Sequence, residues 1–302
     1  MIVPAQVVGA VEEVLAERTG RPARIAGAAR VGGGCVSPVA RVETDESDVF
    51  FLKWGAVETS QDAPPGMLAS EADALDALAA GRHVRVPQVI AVQDTGSGAP
   101  WLLLEWLEPG PPGPGTWRSL GAGLASLHRN LADMFGWSRD NFIGPLHQAN
   151  AASASWAEFW STRRLEPQLR SAVDAGYLEE ERPRFDRLFH DLDDLLGGVT
   201  EPSLLHGDLW NGNVHIVHDG TPALVDPSVY HGHREVDLAM SELFGGFGRD
   251  FYEAYEEAWP VDPAYRERRR AVYQLYYLLV HVNLFGGSYV ASVRERLRAC
   301  GA

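Results

Sequence analysis

Apolar positions recur along the chain with two different periods, and the change from one to the other divides it. Near the start, Val7, Val11, Val14 and Leu15 fall at helical spacing and predict an amphipathic helix. From Ile25 to about Leu107 the runs are mostly those of strands. Val39-Ala-Arg-Val-Glu-Thr44 and Val49-Phe-Phe-Leu-Lys-Trp54 flank a polar turn at Asp45-Glu-Ser47, which predicts an antiparallel hairpin. A helix with Leu68, Ala72, Leu75 and Ala79 on one stripe comes next, then two strand-like runs, Pro87 to Val92 and Trp101 to Leu107. Glu108-Pro-Gly-Pro-Pro-Gly-Pro-Gly115 continues neither kind of element, because its prolines lack backbone donors and its glycines resist ordering. Beyond it Leu120, Leu124, Leu127, Leu131 and Met134 step by four and three, and Trp156 to about Leu169 and Arg182 to Leu196 are patterned alike, with short strands near 204 to 226. The expectation is an α+β, two-lobed chain: a small antiparallel β-rich lobe with one main helix over 1–107, and a larger, mainly α lobe over 108–302.

Composition narrows the partners. The 302 residues carry 26 basic and 41 acidic side chains, a net charge of −15, which disfavours nucleic acid or an anionic membrane as the main partner. Two cysteines, Cys35 and Cys300, cannot build a disulfide framework or a four-cysteine metal site within one chain, so a cytoplasmic setting is expected. Glu12 and Glu13 inside the first apolar stretch argue against a signal peptide. The run Leu275 to Phe285 is shorter than the roughly 20 residues a bilayer requires and predicts a buried helix.

Several polar residues stand where a fold alone does not explain them. His206-Gly-Asp208 followed by Asn213 has the Asp-x4-Asn spacing of a kinase catalytic loop, in which the aspartate receives the acceptor's proton and the asparagine binds Mg²⁺. Asp226 ends a short apolar run, Ala223-Leu-Val225, and supplies a second carboxylate for metal; Pro227 and Ser228 come after it where protein kinases have Phe-Gly. Lys53 lies in an apolar strand on the face of Val49 and Phe51, unfavourable unless anions meet it, and Glu71 on the next helix is a candidate partner. Gly32, Gly33 and Gly34 would let backbone amides approach phosphates, and Glu105 to Leu107 marks a strand end where a backbone would pair with adenine. The ten histidines lack cysteine partners or an HExxH helix, and no Gly-x-Ser-x-Gly elbow supports a serine hydrolase. The residues therefore point to an ATP- and Mg²⁺-dependent phosphotransferase, with a catalytically dead nucleotide-binding module as the competing class.

With these residues the chain resembles the fructosamine/ketosamine-3-kinase family, in the aminoglycoside-phosphotransferase branch of the protein-kinase-like superfamily. The resemblance rests above all on His206-Gly-Asp-Leu-Trp210-x-Gly-Asn213. It extends through Gly32-Gly-Gly-Cys35, Asp140-Asn-Phe-Ile-Gly144, Trp156-Ala-Glu-Phe-Trp160 with Arg164-Leu and Pro167-Gln-Leu169, and Asp226-Pro-Ser-Val-Tyr230 onward to Gly246. It implies ATP-dependent phosphorylation of the 3-hydroxyl of fructosamine or ribulosamine adducts, free or on protein lysines, in deglycation repair. Carried over, Asp208 is the catalytic base, Asn213 and Asp226 are Mg²⁺ ligands, Lys53 contacts phosphates with Glu71 holding it, and Trp210 packs on the acceptor. The stretch Tyr230 to Asp237, rich in His, Arg and acid, offers His233 as a further acceptor contact, with a salt-bridged loop anchoring the next helix as the alternative. Cys35 is the candidate for redox control, and the expected assembly is a monomer or homodimer. An aminoglycoside, choline or other small hydroxyl acceptor on the same fold is the alternative.

Overall fold

A computed structural model describes residues 2–32, 37–55, 64, 66–94, 98–196 and 198–301. Gly33, Gly34 and Cys35, expected in the phosphate loop and its redox position, lie outside the described residues.

The first expected helix is α1 (Ala5–Thr19), which ends where Gly20 takes the left-handed conformation that residues with a Cβ avoid (φ 70°). It is followed by β1 (Ile25–Arg30), β2 (Val39–Thr44), β3 (Val49–Trp54), α2 (Met67–Ala80), β4 (Val89–Gln93) and β5 (Trp101–Glu105). The strands form one antiparallel sheet in the order β1-β2-β3-β5-β4, with Lys53 opposite Val39 on one side and Leu102 on the other. Strand alternation sorts the side chains: Leu52 and Trp54 join Val7, Val11 and Leu15 of α1 in a buried core, which leaves Phe51 and Lys53 for the opposite face. A later hairpin, Val214–Ile216 paired with Pro222–Leu224, belongs to the same compact unit. It is tied there by Gly110 N–H to the Ile216 carbonyl (2.9 Å), Leu224 N–H to the Arg85 carbonyl (2.8 Å) and the Thr116 hydroxyl to the Gly220 carbonyl (2.6 Å). This unit comprises residues 1–116 and 214–227, where the sequence alone places a single cut after Leu107.

The second unit, 117–213 with 228–302, is mainly helical. Its helix α3 (Thr116–His128) is shorter than the apolar stripe through Leu131 and Met134 predicts. The chain leaves the helix because its backbone pairs elsewhere: Leu204 N–H bonds the Asn130 carbonyl (2.9 Å) and Ala132 N–H the Pro202 carbonyl (3.0 Å), so Leu131 and Met134 end up exposed. The stretch expected as one helix from Trp156 is wound in three parts, α over Trp156–Phe159, a wider π turn over Trp160–Leu165, and α again over Glu166–Asp174. Pro167, with no N–H to give the preceding turn, sits where the last part begins. The helix Arg270–Phe285 buries Val272 through Val280 and Val282, packing Tyr273, Tyr276 and Tyr277 in the interior, whereas Phe285, at the end of the run expected to be buried, is exposed. Among the described residues no helix is long and apolar enough to cross a membrane.

Candidate active site

In the first unit the structure brings together three of the expected residues. Lys53, 9% exposed within its strand, donates to Glu71 Oε1 at 2.6 Å and also to Asp226 Oδ1. Burial alone would lower the lysine's pKa, but the charges of Asp226 and Glu71 outweigh it and raise it above the ordinary value. One cation shared between two carboxylates cannot fully neutralise both. Burial, aided by the Asp226 charge and opposed by Lys53, pushes the Glu71 carboxyl up to about 7. Asp226 is the accessible member, its side chain 48% exposed. Its backbone adopts φ 53°, uncommon for a residue with a side chain and further disfavoured before Pro227, so the surroundings over-determine its placement.

Glu71 owes its position to α2, whose inward stripe of Leu68, Ala72, Leu75 and Leu78 is buried. The helix has Gly66 at its N-cap and therefore no capping side chain of its own. Asp94, just beyond β4, accepts the Ala69 N–H at 2.8 Å and supplies the cap from outside. At the strand end, Glu105 N–H bonds the Gln88 carbonyl (2.9 Å) and its carboxylate accepts from Arg85 and from Gln88 N–H. The Leu107 carbonyl faces His215 Nε2 at 2.9 Å. These groups are thus engaged within the protein and hold the strand end together. A Cβ at Gly32 would meet nothing within 4 Å, so that position opens onto free space.

The second unit holds the loop that carries Asp208. Strand Ser203–Leu205, paired with Tyr230–Gly232, delivers the buried His206. The backbone N–H groups of His206 and Gly207 both donate to the carboxylate of Asp237, at 2.7 and 2.9 Å, and His128 Nε2 lies 3.1 Å from the same carboxylate. The Tyr277 hydroxyl donates to the Gly207 carbonyl at 2.7 Å. Gly207 has φ 84°, and a Cβ there would overlap the Ser228 carbonyl, so glycine is required on both counts. Asn213 Nδ2 donates to the Asp208 carbonyl (2.8 Å) and to its Oδ2 (3.0 Å). Both bonds use the amide nitrogen, so the amide oxygen of Asn213 is not spent on Asp208. Trp210 is half-buried, and its indole lies against Gly212, where a Cβ would overlap the six-membered ring.

His233 occupies different surroundings. Its Nδ1 lies 2.7 Å from the Tyr273 hydroxyl and 3.6 Å from Glu235, and its ring meets Trp156 and Tyr273 edge-on. Burial first, then the charges of Arg269 and Arg234, hold its pKa well below the ordinary value, so it is a neutral, held ring. Among the described residues no three His, Cys, Asp or Glu side chains form a cluster able to hold a metal ion. Sequence reasoning does not single out Asp237, because its task is to accept backbone N–H groups and no residue spacing signals that. Its complete burial on the helix Glu235–Leu243 is the feature that reveals it.

Comparison with known proteins shows what the whole chain is similar to. A family model described as fructosamine kinase matches residues 7–301. A protein of Synechocystis named a probable ketoamine kinase is 37% identical over 295 residues, covering 96% of this chain and 95% of the relative. A chloroplastic protein-ribulosamine 3-kinase of Oryza sativa is 36% identical over 276 residues, covering 90% and 78%. A solved structure from Thermobifida fusca, described as a candidate fructosamine-3-kinase, superposes with a TM-score of 0.84 at 35% identity, covering 97% and 99%. An aminoglycoside phosphotransferase variant solved with ADP and hygromycin B shares the fold alone, with a TM-score of 0.62 at 12% identity over 97% and 99% of the two chains.

Proposed function

Because the chain belongs to the fructosamine kinase family, we propose that it transfers the terminal phosphoryl group of ATP to the 3-hydroxyl of ketosamines, the fructosamine and ribulosamine adducts of amines or protein lysines. The phosphorylated adducts are then lost in deglycation. The observation that carries this reading is the pinned loop in which Asp237 fixes His206 and Gly207 while Asn213 holds Asp208. Phosphoryl transfer asks the protein mainly for positioning and charge, and a carboxylate fixed in this way can align an acceptor hydroxyl and receive its proton.

The other roles follow from donor chemistry. Lys53, kept charged by its carboxylate partners, neutralises nucleotide phosphates, and Glu71 holds it in place on the face of the sheet opposite the α1 core. For Mg²⁺ the assigned ligands are oxygen donors of the kind that ion takes, each in its own unit: the amide oxygen of Asn213 and the half-exposed carboxylate of Asp226. When bound, the ion would neutralise charge developing on the phosphates. Trp210 offers an aromatic face to the apolar side of a sugar and to a neighbouring amine cation. Glu105 and Leu107 are assigned to adenine and Gly32, Gly33 and Gly34 to the phosphates, with 1–107 as the nucleotide-binding part and 108–302 as the catalytic and acceptor-binding part. His233 enters as a neutral wall of the acceptor region. A cytoplasmic location belongs to the same proposal, supported by a chain with two cysteines of which Cys300 is a free thiol.

The test is direct. The protein is incubated with Mg-ATP and, in parallel, with fructosyl-lysine, ribulosyl-lysine, an aminoglycoside and choline, and each acceptor is weighed by mass spectrometry. Gain of a phosphoryl group by the ketosamines is expected; gain only by the aminoglycoside or choline rejects the acceptor assignment.

A further inference from the structure

Arg164 is 0% exposed, yet among the described residues it has no carboxylate at salt-bridge distance, and its Nε has no acceptor. A buried charge is costly unless something answers it. Here the answer consists of oxygens and rings. The guanidinium donates to the carbonyls of Ala149 (2.7 Å) and Arg163 (3.0 Å) and to Asn150 Oδ1 (2.7 Å), and lies 4.0 Å from the ring of Tyr230 and 4.6 Å from that of Phe159.

A guanidinium can only donate, so it dictates the direction of every hydrogen bond in the amide chain attached to it. The Asn150 oxygen must face Arg164, and its nitrogen is left to donate to Asn141 Oδ1 at 2.8 Å. Asn141 in turn donates from Nδ2 to the Val229 carbonyl at 2.7 Å. Gln148 runs in the same sense, accepting from the Tyr276 hydroxyl (2.6 Å) and donating to Asn141 Oδ1 (2.8 Å) and the Ser228 carbonyl (3.4 Å). Asn141, Gln148 and Asn150 are all buried. The chain of amides therefore ends on the peptides of Ser228 and Val229. Those peptides are the floor of the Asp208 loop: Ser228 N–H donates to the His206 carbonyl at 2.8 Å, and the Ser228 carbonyl fills the space beside Gly207 where a Cβ would be.

We propose that Arg164 is a positioning residue for Asp208, acting through the one-way amide chain Asn150 to Asn141 that fixes the Ser228–Val229 backbone under the loop. A displacement of that floor moves His206 and Gly207, and with them the carboxylate that must meet the acceptor hydroxyl. Misplacement of a reacting group by about 1 Å is enough to cost on the order of 100-fold in rate. The inference rests on the reading of Asp208 as the group that orients the acceptor.

Asn150→Asp separates this role from a merely structural one. The carboxylate gives Arg164 the counter-charge it lacks, which offsets the loss of stability, but it has no N–H for Asn141 Oδ1 or for the Arg139 carbonyl. The expected result is a thermal midpoint equal to or above that of the wild type, with kcat lowered about 10- to 100-fold and KM for Mg-ATP and for ketosamine unchanged. Wild-type kcat in a folded Asn150→Asp protein overturns the proposal; if that variant does not fold, Asn141→Asp, which still accepts from Asn150 and Gln148 and loses only the N–H to the Val229 carbonyl, carries the same test with the same two outcomes. Hydrogen exchange supplies a readout independent of substrate: peptides covering 203–213 and 228–232 should exchange faster in the variant at unchanged global stability, and unaltered exchange counts against the relay. Absence of acceptor phosphorylation by the wild type would instead strike the functional reading itself.

Discussion

At the scale of single residues, the group assigned to the chemistry and the groups that aim it are held in different ways. Asp208 is held by Asn213 through its own carboxylate, whereas His206 and Gly207 are held by Asp237 through their backbone. Asp208→Asn keeps the size of the side chain and removes its capacity to receive a proton. Turnover should fall on the order of 10²- to 10⁴-fold while calorimetry still detects ATP binding, and turnover at the wild-type rate would remove Asp208 from the catalytic role. Much of this level is legible in the chain. A lysine inside an apolar strand announces a buried partner, and Lys53 finds Glu71 at 2.6 Å. The amides of Asn141, Gln148 and Asn150 announce nothing, because neutral polar side chains carry no periodicity and their burial appears only once the chain is folded.

At the scale of elements, helix α2 is the part whose placement matters most, since it carries Glu71. Its first turn depends on Asp94 rather than on a cap of its own. Asp94→Ala should destabilise the protein by about 1 kcal/mol, the usual loss for a removed N-cap, and raise KM for ATP as Glu71 loosens from Lys53. Urea unfolding with steady-state kinetics measures both, and an unchanged midpoint would show that the cap is dispensable. Periodicity locates the helices well but not their ends or windings. Leu131 and Met134 continue the apolar stripe of α3 although the backbone there pairs with Pro202 and Leu204. The π turn at Trp160–Leu165 is invisible to a 3.6-residue period, and it is where Arg164 is set inward.

At the scale of the whole molecule, the kinase-like architecture is readable from the shift between strand and helix periods, but the membership of each compact unit is not. Residues 214–227 return to the first unit through backbone pairing with Gly110 and Arg85, a non-local event that leaves no mark in local sequence. Buried ionisable groups also act globally, through pH. Burial lowers the pKa of His233 well below 6.5. The unfolded chain then binds this proton below about pH 6.5 while the folded chain does not, so the contribution of His233 to stability is present above that pH and is lost as pH falls. Glu71, raised from 4.5 to about 7, runs in the opposite sense, so the informative quantity is a difference between proteins. The wild type should lose stability relative to His233→Gln as pH falls from about 7.5 to about 5.5, followed by urea midpoints. A constant difference across that range would show that His233 titrates normally. The central claim, that this fold directs a phosphoryl group to one hydroxyl of a ketosamine, is met most directly by the position of the phosphate in the product. Phosphorus–proton correlation NMR on fructosyl-lysine treated with the protein and Mg-ATP should place it on O3; a phosphate on any other oxygen, or none on the ketosamine, would contradict the account.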